Sequence, residues 1–164
     1  MMEITIRPLM NVDRGALIDL VLPIQQIEFG LPIALEDQPD LLDIEKYYRG
    51  SGGDIWGAFA GGSLVGSIAV IFIGSGAGAV RKVFVQKEFR GGRWKIAQRL
   101  LETLIADCRQ RQIAGLYLGT HDILLAAGRF YEKNGFARTD KANLPPGFPL
   151  MEVDNVFYSL HLAK

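Results

Sequence analysis

The residues best suited to chemistry in this sequence lie in a short basic turn that contains Arg90, Gly91, Gly92, Arg93 and Lys95. An apolar run precedes the turn and an amphipathic helical pattern follows it. A helix that begins here would point free backbone N–H groups and the positive end of its dipole at one spot. Three cationic side chains within six residues strengthen that field. The turn is therefore predicted to bind a phosphate or pyrophosphate, against the alternative of a solvated basic turn.

Other reactive patterns are missing from the sequence. His and carboxylate residues show no metal-ligand spacing, so no metal site is expected, and no Ser-His-Asp order indicates a hydrolase. The phosphate-binding pattern Gly-x-x-x-x-Gly-Lys-Ser/Thr is also missing, which argues against a P-loop nucleotide enzyme. The single cysteine, Cys108, lies on the apolar face of a predicted helix and is interpreted as a core residue rather than a nucleophile.

Composition limits the class of protein. The 164 residues are 49% hydrophobic, which is enough for one compact domain over 1–164 with a real core. Eighteen basic residues balance eighteen acidic ones, so no overall field favours nucleic acid or an anionic membrane. No secretion signal and no membrane-spanning stretch is recognised, so a soluble cytoplasmic protein is expected.

The elements that must position the basic turn are read from periodicity and turn residues. Alternation predicts strands, and apolar residues at a period of 3.6 predict helices, with Pro23 expected to kink or divide the first of them. The strongest helical stripe is Ile96, Ala97, Leu100, Leu101, Leu104, Ile105 and Cys108. The predicted strands are 3–9, 54–60, 64–73, 79–85, 114–120, 136–139 and 153–162. The predicted helices are a first one, capped by Asn11 or Asp13 and apolar on one face from Ala16 to Ile27, and then 40–49, 94–112 and 123–133. This order predicts an α/β (α+β) fold with one mixed sheet.

The pattern resembles the GCN5-related N-acetyltransferase (GNAT) superfamily. The resemblance rests on Val83-Phe84-Val85, on Phe89-Arg90-Gly91-Gly92 with Ile96-Ala97 and Leu100-Leu101, and on the run from Ala126 to Phe136, which contains Tyr-Glu-Lys-Asn-Gly-Phe. It implies a mostly antiparallel sheet of about six to seven strands flanked by about four helices.

The sequence departs from the family pattern in two places. The turn is two residues longer than Arg/Gln-x-x-Gly-x-Gly/Ala, with Lys95 at the position of the inner glycine and Ala97 at that of the last. Leu124 occupies the position, seven residues before Tyr131, where the family often has an Asn. The resemblance therefore implies that one hydrogen bond to the pantetheine of a bound coenzyme A is missing or supplied elsewhere.

The resemblance implies acetyl-CoA or another acyl-CoA as the donor. It places the pyrophosphate on the turn 90–97, with pantetheine along strand 79–85 and a backbone N–H of Phe84 or Val85 at the thioester oxygen. Tyr131 is implied as the hydrogen-bond or proton donor to the CoA sulfur, with a core aromatic as the alternative. The implied cofactor-binding residues are Val83, Phe84, Val85, Arg90, Gly91, Gly92, Arg93, Trp94, Lys95, Ile96, Ala97 and Phe130.

The acceptor side of the predicted site is less defined. It is expected to be formed by residues 27–42 and 144–151, and the base is left open among Glu28, Glu36, Asp37, His121 and water. Asp122 is interpreted as a helix N-cap.

The predicted activity is N-acetyl transfer to a primary amine of a small molecule or peptide, by direct attack in a ternary complex. The alternative is a non-catalytic acyl-CoA sensor or interaction module on the same fold. A homodimer is also considered, on the expectation that the last strand is a sheet edge.

Overall fold

The computed structural model describes residues 3–162, which form a single seven-stranded sheet with the strand order β1-β2-β3-β4-β5-β7-β6. Neighbouring strands are antiparallel except β4 and β5, which are parallel. The predicted mixed, mostly antiparallel sheet is therefore confirmed. The strands are β1 (Ile4–Pro8), β2 (Asp54–Ala60), β3 (Ser63–Phe72), β4 (Ala77–Val85), β5 (Gly115–Thr120), β6 (Ala137–Thr139) and β7 (Val156–His161).

Helices cover both faces of the sheet. On one face α1 (Arg14–Pro23) and the helical turns at 39–49 enclose a core cluster that contains Leu17, Ile44 and Ile55. On the other face α2 (Ile96–Gln110) and α3 (Leu125–Lys133) pack on the larger cluster. The predicted stripe of α2 is confirmed, since Ile96, Leu100, Leu101, Leu104 and Cys108 are all buried.

The first third of the chain is less regular than predicted. Pro23 ends α1, and Ile24–Glu28 continues as a π-helical turn, because proline cannot donate a backbone hydrogen bond. The single helix predicted over 40–49 is wrong. Instead, a 3₁₀ turn at Pro39–Leu41 precedes a π-helical turn at Glu45–Arg49, and the Asp43 carboxylate caps the second by accepting from the Lys46 N–H at 3.1 Å.

The two later helices begin after their predicted starts. α2 begins at Ile96 because Lys95 has left-handed backbone angles, with φ 53° and ψ 36°. α3 begins at Leu125, and the N-cap position is Leu124, so the prediction of Asp122 as N-cap is wrong. The Asp122 N–H instead donates to the side-chain oxygen of Asn155 at 3.0 Å.

β7 lies inside the sheet. It pairs with β5 on one side and with β6 on the other, so the expectation that the last strand is an edge is wrong. The edges of the sheet are β1 and β6. Because both edges of β7 are already paired, β7 offers no free edge for a homodimer.

Candidate active site

The sheet opens between β4 and β5. These parallel strands pair only from Ala77 to Ala79 with Gly115 to Tyr117. Beyond Ala79, β4 runs on to Val85 beside β3 alone. Half of β4 therefore has an open edge, to which an extended ligand can add like a further strand.

A β-bulge lies at the start of this open edge. The pairing with β3 shifts between Ser67 and Ala69, and Lys82 opposite the shift has φ 56°. A left-handed lysine is strained, and such strain persists only where surrounding contacts fix it. Here the Ser67 hydroxyl donates to the Lys82 carbonyl at 2.7 Å. The bulge puts the side chains of Arg81 and Lys82 on the same face of the sheet, where they contact Tyr47 and Gln38, respectively.

The hydrogen bonds around Val85 define which backbone groups face the opening. The Gln86 N–H donates to Val65 of β3 at 2.8 Å, so Gln86 faces β3. Because successive residues of a strand alternate between its two edges, Val85 faces the opening. Its carbonyl indeed accepts from Arg90 Nε at 2.8 Å rather than from β3.

The basic turn lies at the end of this opening that is next to Val85, the last residue of β4. Gly91 has φ 103°, which favours glycine, and Gly91 and Gly92 have no atom within 4 Å of where a Cβ would be. Lys95 adopts the left-handed conformation in which the family pattern has glycine. Arg93 and Lys95 are exposed, at the N-terminus of α2. The turn thus presents backbone N–H groups and two exposed cations, as a phosphate site requires.

Other predicted cofactor residues have side chains in the core. Ile96 is buried, while Trp94 packs on Phe89 with ring centroids 5.4 Å apart, which anchors the turn. Val83, Val85 and Phe130 are half-buried beside the larger cluster, whereas Phe84 packs on the opposite face. These residues position the backbone of the site more than they offer side chains to a ligand.

Tyr131 lies within an aromatic group on α3. Its ring centroid is 5.7 Å from those of Phe130, Phe136 and Tyr158, and its side chain is buried. Burial, reinforced by the negative charge of Asp154, raises the pKa of the Tyr131 phenol well above its ordinary value. Such a phenol keeps its proton and acts as a hydrogen-bond donor. The glycine inside α3, Gly128, is explained by β7, since a Cβ there would lie 3.2 Å from the Tyr158 hydroxyl.

Comparison with known proteins agrees with this geometry. The sequence matches the model of the Acetyltransferase (GNAT) family over residues 19–136. The chain belongs to the GNAT family.

Solved structures support the same conclusion. An acetyltransferase of the GNAT family from Staphylococcus aureus Mu50 is 38% identical, with a TM-score of 0.95 over 98% of this chain and 100% of that one. An acetyltransferase from Streptococcus agalactiae 2603 is 27% identical, with a TM-score of 0.92 over 97% and 98%. PaiA N-acetyltransferase from Thermoplasma acidophilum, solved in complex with coenzyme A, shares the fold at 20% identity, with a TM-score of 0.70 over 98% and 100%. No curated protein matches the sequence.

Three of the candidate bases in this GNAT protein have other partners. The Glu28 carboxylate binds the Arg90 guanidinium, with Nη2 2.8 Å from Oε1, and this pairing lowers the pKa of Glu28. His121 Nδ1 accepts the N–H of Ile123 at 3.1 Å and so stabilises the turn before α3. Glu36 is exposed, and Asp37 accepts the N–H of Ala34 at 3.0 Å within a local turn.

The two predicted acceptor loops of the GNAT fold meet at the bulge. Met151 Sδ lies 3.6 Å from an Arg81 nitrogen, and Gln38 Oε1 accepts from Lys82 Nζ at 2.7 Å. Lys82 Nζ is also 3.3 Å from the buried carboxylate of Asp40. Burial lowers the pKa of Lys82 to about 8, against the opposing effect of Asp40. Polar side chains therefore connect the two loops to the bulge.

One residue of this region was missed from the sequence. Asp154 lies just beyond the predicted acceptor loop, and burial raises its pKa to about 6. A single acidic residue before a strand is an ordinary feature of a sequence, and only the packing against Gly119 distinguishes it. Among residues 3–162, no group of three or more His, Cys, Asp or Glu side chains is arranged to hold a metal, and none of the helices is long and apolar enough to cross a membrane.

Proposed function

We propose that this GNAT protein transfers the acetyl group of acetyl-CoA to a primary amine by direct attack while both substrates are bound. The observation that supports this most strongly is the parting of β4 from β5 beyond Ala79. It leaves an open strand edge that leads along β4 away from the basic turn. The PaiA structure, which contains coenzyme A, has the same fold.

The residues present fit coenzyme A. The open space around Gly91 and Gly92, beside exposed Arg93 and Lys95, suits a pyrophosphate at the start of α2. The open edge of β4 suits the amides of pantetheine. When bound, acetyl-CoA supplies the activated acetyl thioester, and this chain orients it.

Two groups of the chain are proposed to act at the thioester. The Val85 N–H, which faces the opening, donates a hydrogen bond to the thioester oxygen, as preorganised amides do at acyl-transfer sites. The Tyr131 hydroxyl donates to the departing sulfur. Because the pKa of Tyr131 is raised, this role is hydrogen bonding rather than complete loss of its proton.

The acceptor is proposed to be an amine of a small molecule or peptide, held between the loops 27–42 and 144–151. Leu35 and Phe148 pack on the same cluster from these two loops and join them. The balanced charge gives no preference for nucleic acid. We further propose that 1–164 forms one catalytic domain that works in the cytoplasm.

Thermal unfolding with added cofactor tests the proposal. A ligand present at 100 times its Kd adds about 2.7 kcal/mol to native-state stability, so acetyl-CoA and CoA should raise Tm clearly while ATP and NAD should not. Thiol release from acetyl-CoA with a panel of alkylamines, amino acid amides and polyamines then tests transfer. A Tm shift without thiol release for any amine would indicate the non-catalytic sensor, and no shift with either CoA species would overturn the proposal.

The role of Tyr131 is tested by Tyr131→Phe. No described residue accepts a hydrogen bond from its hydroxyl, so the variant should fold as well as wild type. It should lose roughly 10- to 100-fold in kcat, as expected for one hydrogen bond at a developing charge, with the Kd for CoA unchanged. Tyr158→Phe is the control, because its hydroxyl donates to Glu132 at 2.7 Å. Equal loss of kcat and CoA affinity in Tyr131→Phe would contradict the role.

A further inference from the structure

The carboxylate of Asp154 lies against the strand that borders the opening. A Cβ added to Gly119 of β5 would be only 2.5 Å from Asp154 Oδ2. The side chain is thus packed directly on the β5 backbone, two residues past the segment that pairs with β4. The absence of a side chain at position 119 provides the space that the carboxylate occupies.

The backbone on either side of this carboxylate is fixed. The Asp154 N–H donates to the Met151 carbonyl at 3.0 Å, which closes a turn. The Asn155 N–H donates to the Thr120 carbonyl at 2.9 Å, and the Asn155 side chain accepts from Asp122 at 3.0 Å. A group held on both sides in this way can act at a defined position.

The carboxylate itself has no partner within residues 3–162. No donor hydrogen-bonds to it and no cation forms an ion pair with it, although the side chain is half-buried. The charged and titratable groups that act on it electrostatically are Arg81 and Lys82 from β4, His121 after β5 and Tyr131 from α3, while Arg138, Asp140 and Lys141 line the same surface cleft. Desolvation nevertheless outweighs the opposing influence of Arg81, Lys82 and His121, so the pKa of Asp154 is raised. An unpaired carboxylate without full hydration is costly and occurs preferentially at functional sites.

We infer that Asp154 binds the ammonium group of the acceptor and removes its proton, as the general base of the transfer. The inference rests on the proposed function. It assigns the acceptor as an amine that arrives protonated, and it explains why a carboxylate lies within electrostatic range of Tyr131. A base whose pKa is near the working pH is effective, because it is both ionised and able to hold a proton.

The proposed step balances as follows. One Asp154 oxygen takes a proton from the ammonium nitrogen, whose lone pair then forms the C–N bond as the C–S bond breaks. As the amide forms, the second proton of the nitrogen is transferred to the departing sulfur, so that CoA leaves as a thiol and Tyr131 keeps its own proton. The proton on Asp154 passes to water through the surface cleft that this residue borders with Arg138 and Asp140.

Substitution of Asp154 tests the role with matched acceptors. Asp154→Asn keeps the shape of the side chain and removes its basicity, and Glu152→Gln makes the same change at an exposed neighbour. We expect Asp154→Asn to lower kcat/KM for an alkylamine by 10²- to 10⁴-fold, and Glu152→Gln to change it little. An alkoxyamine of the same chain length is unprotonated at neutral pH. With this acceptor, Asp154→Asn should therefore lose far less kcat/KM than with the alkylamine. Equal losses for both acceptors would overturn the inference.

A measurement on the wild type covers the case in which Asp154→Asn does not fold. With the alkylamine, kcat/KM should rise with pH up to about 6 and then level, because the carboxylate must be ionised while the ammonium form binds. A continued tenfold rise per pH unit to pH 8 would show that only the free amine reacts and would overturn the role. Full activity of Asp154→Asn, with acetyl-CoA still raising Tm, would reject Asp154 and leave the proposed function intact.

Discussion

The carboxylate of Glu28 and the guanidinium of Arg90 form an ion pair across 62 residues of sequence, and this pair joins the π-helical turn after α1 to the basic turn before α2. Arg90 also holds the Val85 carbonyl through Nε. Its guanidinium is therefore engaged by protein, which leaves Arg93 and Lys95 as the cations of the turn with exposed side chains and no ion pair among the described residues.

Glu28→Gln should leave kcat unchanged, because a paired carboxylate with a lowered pKa is a poor base. Removal of its negative charge should strengthen binding of acetyl-CoA by a few-fold, more so at low salt. Titration of acetyl-CoA at two ionic strengths measures this, with Glu36→Gln as the exposed control. A loss of kcat greater than tenfold would restore Glu28 as a candidate base.

Two substitutions at Lys95 can separate the effect of its charge on CoA binding from the effect of its strained backbone on stability. Lys95→Gly and Lys95→Ala both remove the cation, but only glycine adopts φ 53° without cost. Both variants should weaken binding of CoA to a similar extent. Chemical denaturation should show Lys95→Gly at least as stable as wild type and Lys95→Ala less stable than Lys95→Gly by about 1 kcal/mol. Unequal CoA affinities of the two variants would show that turn geometry, not charge, determines binding.

Gly119→Ala tests the position of Asp154 without changing its chemistry. The new methyl group would meet Asp154 Oδ2 at 2.5 Å and Phe157 Cε1 at 3.1 Å, so the carboxylate must shift. We expect kcat/KM to fall at least tenfold, since misplaced catalytic groups lose most of their effect, while acetyl-CoA still raises Tm. Gly15→Ala serves as control, because nothing lies within 4 Å of the added methyl group. Wild-type activity in Gly119→Ala would contradict the placement of Asp154 at the reacting amine.

Lys82 should make stability depend on pH above neutrality. Its pKa is about 8 when folded and about 10.4 when unfolded, so between these values the unfolded chain binds more protons and the free energy of unfolding rises with pH. Relative to Lys82→Met, wild type should gain about 1 to 2 kcal/mol from pH 8 to 9.5. Cys108, whose pKa burial raises to about 12, acts in the opposite direction but equally in both proteins. A constant difference between the two would show that folding does not lower the pKa of Lys82.

The parts of the fold that follow from local pattern could be predicted from the sequence. The stripe from Ile96 to Cys108 predicts its buried face because helical period and packing agree there. The helix expected over 40–49 fails because Asp43 caps a new turn in its middle. The prediction that β7 is an edge strand fails for another reason, because strand order depends on tertiary pairing that no local sequence pattern records.

The candidate site divides in the same way. The glycines and cations of the basic turn predict an anion site from the sequence alone, and the motif around Tyr131 predicts the role of that residue. The bulge at Lys82 depends on a hydroxyl 15 residues earlier in the chain, and the environment of Asp154 depends on Gly119, 35 residues earlier. Desolvation and strain are properties of the folded molecule, so both were visible only in the structure.

The insertion of β7 between β5 and β6 also has a consequence for biosynthesis. Within residues 3–162, β6 pairs only with β7, and β7 leaves the ribosome after β5 and β6. β2, β3 and β4 can associate by local hairpins while translation continues, whereas the part of the sheet that pairs with β7 must wait until β7 has been made. A ribosome-bound chain that ends before Val156 should therefore expose β5 and the Tyr131 face of α3 to proteases and chaperones, and emergence of β7 should protect both at once.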